Sequence, residues 1–483
     1  MMRIRTNFIL NTISQVLRII TPFITTPYVA RVLGVDNVGI FSYSYSLQSY
    51  FCLLAVLGTA TYGTREIARL RDNKKTVSVA FWEIELLRAV TTLLAFVGWI
   101  ILIGCQSENI VVFEILTIYI VAALFDISWF YAGLELFPYI VSRNVVIRVL
   151  EVVAIFIFVK STDDLPVYCL IMGGGTFVGN ITLWVNLRKY VNKLRFSECN
   201  PFRHMKDVMV YFVPSVATTI YTVLDKTLIG TITQSTYENG IYEQTTKVIE
   251  IAKAITFTSL NAVLCARNSY LFINKEYDKI KINLQLSLSI MLALGFGFTF
   301  GIAAISDRFV PIFFGVGYDG VILLLKLLSP IIVIIAISNA LGDQYYNPAG
   351  LRIKSAKYLI VGAICNLILN LALIPYLKSA GAVIASIIAE IIISALYLIN
   401  CDGYLHLRQI LSLSYKKIIA GVFMYGIIVL SCRMVPDTII GLLILILMGG
   451  LGYILMLALF KDNVYVFAVD QLLQRKQKIK KDA

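Results

Sequence analysis

The chain has 483 residues, 58% of them hydrophobic and 15% charged, with mean hydropathy +0.80 and a formal net charge of +13. A soluble domain of this length has no room to bury that much apolar surface, and a large soluble helical protein would show alternating polar faces. Instead, apolar stretches of about twenty residues or more recur along the whole length. Each is long enough to cross a hydrocarbon core roughly 30 Å thick. Backbone groups in lipid must be satisfied within the segment, so the expected fold is all-α and polytopic.

The first apolar segment, 8–33, is too long for a secretory signal core and lacks a small-residue cleavage site, so it reads as a membrane helix. Pro22 and Pro27 in it predict a kink, either a gating element or static geometry. Further helices are expected at 38–62, 80–104, 109–132, 139–160, 165–187, 208–232, 240–266, 284–305, 320–342, 355–377, 379–400, 415–433 and 437–460, about fourteen in all. With the N-terminus in the cytoplasm, the even-numbered connections and the C-terminal tail fall inside and collect most of the basic residues outside helices. The outer connections hold only Lys160, Arg308, Lys378 and Arg433 with their flanks. That asymmetry is the positive-inside pattern and places both termini in the cytoplasm. It also accounts for the basic charge without nucleic acid. The tail Lys461–Ala483 either lies along the anionic membrane lipid surface or is simply solvated.

An internal repeat is suggested by Gly39-Ile40-Phe41 and Gly240-Ile241-Tyr242, which open helices 2 and 8. Together with the similar spacing of helices 5–6 and 11–12, it suggests two six-helix halves built as parallel repeats. The expected division is 1–200 for an N-terminal bundle, 201–410 for a C-terminal bundle, and 411–483 for two extra helices and the basic tail.

Ionisable residues inside apolar helices cost about 2.5–3.5 kcal/mol each at the helix centre, so they face a partner or water. Candidate cavity residues are Arg18, Arg31, Arg88, Arg148, Lys226, Lys247 and Lys253; candidate ion-coupling residues are Asp126, Glu151, Asp225, Glu243 and Glu250. On helix 8, Glu243, Lys247 and Glu250 share one face at i, i+4 and i+7, with Lys253 beside them. This stripe is either the wall of an aqueous cavity or a self-neutralised seam, Glu243–Lys247 and Glu250–Lys253. Helix 5 repeats the spacing with Asn144, Arg148 and Glu151. The buried bases of the first half are arginines, whose planar fork suits phosphate, and Arg18, Arg88 and Arg148 form a candidate anion grip.

Motifs for other chemistry are missing. There is no G-x-x-x-x-G-K-[ST] phosphate loop, no H-E-x-x-H and no G-x-S-x-G. The eight cysteines are scattered without a C-x-x-C pair, and His204 and His406 both fall in connections, so neither a metal site nor a cofactor is expected. Gly173-Gly174-Gly175 and the Gly297/Gly301 pair read as close helix packing. Short outer connections leave little room for an active site, so no catalytic residues are expected and the chain is read as a transporter rather than an enzyme.

The sequence resembles the polysaccharide-type flippases, the Wzx family, of the multidrug/oligosaccharidyl-lipid/polysaccharide (MOP) exporter superfamily. The resemblance rests on Arg31-Val32-Leu33-Gly34 followed by Gly39-Ile40-Phe41-Ser42, on the stretch Phe125–Glu135, on Phe156–Lys160 followed by Asp163-Asp164-Leu165, and on Asp225-Lys226 before Gly230 and Gly240. It implies a MATE-like fold of two six-helix bundles around a central cavity, with two added helices. It also implies a passenger, an oligosaccharide repeat unit on undecaprenyl diphosphate, moved across the bacterial cytoplasmic (inner) membrane by alternating access coupled to an ion gradient. Partners would then include a polymerase and a chain-length regulator. A lipid II flippase or a drug or metabolite exporter of the same superfamily is the alternative reading, and a membrane polysaccharide polymerase a more distant one.

Overall fold

The computed structural model describes the backbone of residues 2–193 and 199–471, and their side chains except residues 2–19, 213, 214, 217, 218, 220, 221 and 259. All helices and no strand are found among the described residues. The chain begins with α1 (Met2–Val56), one run broken at Gly34, where φ is 77°. This break lies in the expected gap between helices 8–33 and 38–62, and Pro22 and Pro27 sit inside the first arm. A left-handed φ is available to glycine without steric cost. The second arm ends where Leu57 and Gly58 both take positive φ. α2 (Thr59–Leu70) follows.

α3 (Lys74–Gly104) is capped by Asn73, whose side chain accepts from the backbone N–H of Lys75 and Thr76. α4 (Ile110–Phe125) stops at Asp126, and the short α5 (Ser128–Gly133) continues it, so the expected helix 109–132 is interrupted. α6 (Phe137–Phe158) and α7 (Leu165–Val185) each carry a proline in the first turn, where no backbone donor is needed. Then come α8 (Met205–Thr233), α9 (Thr236–Ile273) and α10 (Tyr277–Phe313), the last shortening the expected outer connection 306–319. α11 (Asp319–Leu328) and α12 (Ile331–Leu341) are bent by 43° at Ser329-Pro330, and a π-helical turn, Gly342–Tyr346, follows. α13 (Arg352–Ile399) is broken at Lys378, with φ 51°. Its arms fold back on each other: a Cβ on Gly381 would lie 2.7 Å from the Leu373 carbonyl, and one on Gly362 would meet Ile393. α14 (Leu407–Ser431) and α15 (Ile439–Leu459) complete the chain. Residues 472–483 of the basic tail lie outside the described residues.

Nine helical runs among the described residues are long and apolar enough to cross a membrane, and the bent α11–α12 pair makes a tenth. Two of the nine contain the breaks at Gly34 and Lys378. α6 is outside this set; it carries Arg143, Arg148 and Glu151. On α15, Leu443, Leu447, Leu451, Leu455 and Leu459 are exposed at every fourth residue, while Leu445, Gly449, Tyr453 and Leu457 are buried. A leucine stripe turned outward suits lipid, not water.

Contacts divide the chain into residues 1–243 and 244–483. In the first unit, one core gathers around Trp99, Phe113 and Leu116, a second around Phe81, Trp129 and Phe130. In the second unit, α14 and α15 are fastened to α10 at two levels. The fully buried Lys417 Nζ lies 2.9 Å from Asp462 Oδ2 and donates to Ser289 Oγ at 3.1 Å. Arg308 donates to the Val435 carbonyl at 2.6 Å and pairs with Asp437 at 2.8 Å. Between them the Gly297/Gly301 face meets Tyr453 and Met424, where an added Cβ would make ordinary van der Waals contacts.

The two Gly-Ile-aromatic triplets meet. A Cβ on Gly39 would fall 1.8 Å from the Thr236 carbonyl oxygen, and one on Gly240 would fall 2.1 Å from the Val35 carbonyl oxygen. Ser42 Oγ donates to Glu243 Oε2 at 2.8 Å, again 201 residues apart. Residues at matching positions of the sequence repeat therefore touch, within the first unit. Replacing Gly39 or Gly240 by alanine is expected to destabilise by about 1–3 kcal/mol or more, because backbone must move. Thermal unfolding in detergent measures this. Gly450→Ala, where nothing lies within 4 Å, is the control and should be neutral or slightly stabilising.

Candidate functional site

The charged face of α6 is where the first unit departs from an apolar interior. Arg143 is half-buried and held by α7: its Nη1 donates to the Gly179 carbonyl at 2.8 Å and to Asn180 Oδ1 at 3.0 Å. Asn180 in turn donates to the Ala122 carbonyl. One turn on, Arg148 is 51% exposed, while its partner Glu151, at 2.9 Å, is 6% exposed. Glu151 fits because α7 has no side chain opposite it: a Cβ on Gly175 would lie 2.4 Å from Oε1. The glycine triplet is thus a packing device, with Gly173 set against Tyr119. Arg143, Arg148, Glu151 and Thr176 line a cleft of about 200 Å³ between α6 and α7. Its open member is a guanidinium held from below by a carboxylate.

A second polar cluster joins the second arm of α1, α8 and the first turns of α9. Lys226 Nζ lies 2.6 Å from Glu243 Oε2, which also accepts from Ser42. Tyr242 donates to Asp225 Oδ2 at 2.5 Å. Asp225 and Lys226 are adjacent and so point apart, and each meets a different residue of α9. Ser46 and Tyr50 bring hydroxyls to Thr227. Between the cleft and this cluster stand Tyr45 and Tyr168, each feeling the charges of both Glu243 and Arg148. Tyr45 packs on Phe41 and Tyr119, and Phe41 on Tyr168. One polar and aromatic seam thus runs through the first unit from Arg148 to Lys226.

The other expected residues fall elsewhere. Arg88 is 1% exposed and donates to the Asp126 carbonyl at 2.5 Å. The Asp126 carboxylate accepts from the Ser128 N–H. Both residues therefore serve the break between α4 and α5, where backbone groups lose helical partners. Neither Arg88 nor Asp126 lines the cleft that holds Arg148. The side chain of Arg18 lies outside the described residues, and Arg31 is exposed. In the second unit Lys253 pairs with the exposed Glu250 at 2.9 Å, one of the two pairs of the self-neutralised seam, and Lys247 is half-buried.

Sequence reasoning missed three polar clusters. Glu83, buried near the start of α3, accepts from the Asn200 N–H at 2.9 Å, pairs with Arg203, and faces His204 Nε2 at 3.0 Å. The other nitrogen of His204 is 2.6 Å from the Tyr62 hydroxyl. His204 sits in a turn of the connection 186–204, yet it is buried, which a loop assignment conceals. The Lys417–Asp462 pair is the second. The third lies on the π turn, where Asn261 donates to Asp343 and accepts from Gln344. Amides inside apolar helices were its signal, because only the ionisable residues were singled out.

Residues 4–265 match the protein family described as "Polysaccharide biosynthesis protein". A protein named "Putative O-antigen transporter" from Escherichia coli (strain K12) is 24% identical over 402 residues, covering 82% of this chain and 96% of the relative. One of the same name from Shigella dysenteriae is 24% identical over 380 residues, covering 77% and 93%. Among solved structures, the lipid II flippase MurJ in its inward closed conformation superposes with TM-score 0.73 at 14% identity, over 94% of this chain and 98% of that one. An inward-facing MATE family multidrug resistance transporter of the MOP superfamily gives 0.59 at 13% identity, over 82% and 94%. These likenesses place the fold among MOP-type membrane transporters.

The seam makes a stability prediction. Lys226→Ala removes a cation 2.6 Å from the buried Glu243 carboxylate and is expected to destabilise by roughly 1–3 kcal/mol. Adding Glu243→Gln removes the carboxylate charge that Lys226 balanced and should recover part of that loss. Apparent unfolding midpoints of the two variants decide it; equal losses would mean that the pair is not coupled.

Proposed function

The chain belongs to the polysaccharide biosynthesis protein family, and on that premise we propose that it is a flippase for lipid-linked oligosaccharides. It carries repeat units on undecaprenyl diphosphate from the inner to the outer leaflet of the bacterial cytoplasmic membrane, for assembly of O-antigen or capsule. Translocation needs no bond made or broken, only a polar path for a headgroup that hydrocarbon excludes. The observation that carries this reading is Arg148, a half-exposed guanidinium on α6 at the mouth of a polar cleft. A guanidinium offers phosphate oxygens two parallel donors, and low dielectric strengthens the pairing. Glu151 beneath it keeps the site near neutral when empty and orients the fork.

In this reading residues 1–200 and 201–410 are the two six-helix bundles, 411–483 carries the added helices and tail, the chain crosses the membrane fourteen times, and both termini are cytoplasmic. Alternating access is coupled to an ion gradient through carboxylates of the seam, Asp225, Glu243 and Glu151. Their hydroxyl and ammonium partners offer alternative donors when a proton or cation binds. Lys247 and Lys253 continue the path on α9. A polymerase and a chain-length regulator receive the product at the outer face.

The test is surface polysaccharide in a strain lacking its own flippase. Arg148→Ala should lower export at least about tenfold at unchanged membrane abundance, since losing a bidentate ion pair to phosphate is worth roughly 1.5–3 kcal/mol. Arg148→Lys should fall between, keeping the charge without the fork. Full export by Arg148→Ala would sink the anion-grip reading. For α9, a cysteine at Lys247 in a background without the eight native cysteines is expected to react with a water-soluble thiol reagent. Complete protection under every transport condition would remove Lys247 from the path.

A further inference from the structure

A second cleft of the first unit, of about 470 Å³, lies apart from the polar seam. Its floor is Trp82 near the start of α3 and Trp184 at the end of α7, with ring centroids 6.4 Å apart, together with Leu187 and Val191. Arg188 and Lys193, both exposed, stand at its rim. Both indole N–H groups are already engaged, Trp82 with the Asn192 carbonyl at 3.1 Å and Trp184 with the Phe125 carbonyl at 2.9 Å. The rings therefore present only hydrocarbon to the cleft. Among the described lining residues none is acidic. Further positive charge is close by, since Lys74 Nζ donates to the Lys189 carbonyl at 3.1 Å.

The occupant must match an apolar floor and a cationic rim at once. A free phosphate matches only the rim, and a neutral hydrocarbon only the floor. Both tryptophans sit near the ends of helices apolar enough to span a membrane, where indoles favour the headgroup level and basic residues meet anionic lipid. We propose that this cleft binds an anionic phospholipid, the phosphate between Arg188 and Lys193 and the first part of an acyl chain over Trp82 and Trp184. The site needs only the membrane setting and does not rest on the flippase reading. Its lipid fastens the connection after α7 to the start of α3, the same two segments that Asn192 and Trp82 join directly.

Native mass spectrometry of the full chain in detergent tests this, with dioleoyl phosphatidylglycerol and dioleoyl phosphatidylcholine added in equal amounts. The wild type should retain phosphatidylglycerol about tenfold more strongly at its tightest site. R188A/K193A should lose that preference, and R188K/K193R, which keeps both charges, should hold it. Millimolar inorganic phosphate should not displace the lipid. Equal preference in the wild type and R188A/K193A would overturn the proposal, as would no preference in the wild type. Displacement by inorganic phosphate would show a simple anion site and overturn the lipid assignment. If R188A/K193A fails to fold, loss of preference in R188K/K193R would count against the site and its retention for it.

Discussion

Hydrocarbon offers no partner to a charge or an unpaired hydrogen-bonding group, and this single fact arranges the interior of the chain. A charge at the centre of a membrane helix costs about 2.5–3.5 kcal/mol, more than one ordinary hydrogen bond returns. Several such groups are found with more than one partner or at a place where backbone is also in need. Arg88 and Asp126 meet where a helix breaks and its end groups need donors and acceptors. Glu83 collects an amide, a guanidinium and an imidazole. Lys417 sits between a carboxylate, a hydroxyl and a carbonyl.

Against that background α6 stands out. Arg143 is absorbed by packing, but Arg148 keeps half its surface free, and its carboxylate partner lies beneath it. From there tyrosines carry polarity inward to Lys226 and Glu243. In the proposed flippase reading, an exposed cation backed by a buried carboxylate would hold a phosphate without trapping it, since the carboxylate competes for the same fork. That competition suits a carrier, which must release what it binds.

The helices were legible because twenty apolar residues in a row have few other interpretations. The interruptions were less so. Asp126 and Ser329-Pro330 lie inside runs that hydropathy treats as uniform, and what breaks them is backbone geometry or a neighbour's side chain, whereas the break at Gly34 falls in the expected gap between 8–33 and 38–62. The two triplets that suggested a repeat were legible, and their glycines are where backbones touch. Charges were legible as a set, but not which of them belong together: Lys226 and Glu243 are 17 positions apart on different helices, and Arg88 serves a carbonyl 38 residues away. Period and hydropathy locate a charge along its own helix and carry no information about the helix opposite. For the same reason the buried His204 read as a loop residue.

The union of Lys417 with Asp462 bears on how the protein is made. The two are 45 residues apart. At about 5–20 residues per second of synthesis, the lysine leaves the ribosome roughly 2 to 9 s before its counter-ion exists. During that interval the ammonium group of α14 lacks the acid it meets in the folded protein. α15 arrives as the delayed half of an electrostatic lock, and the seating of both helices against α10 is complete only once that half is in place.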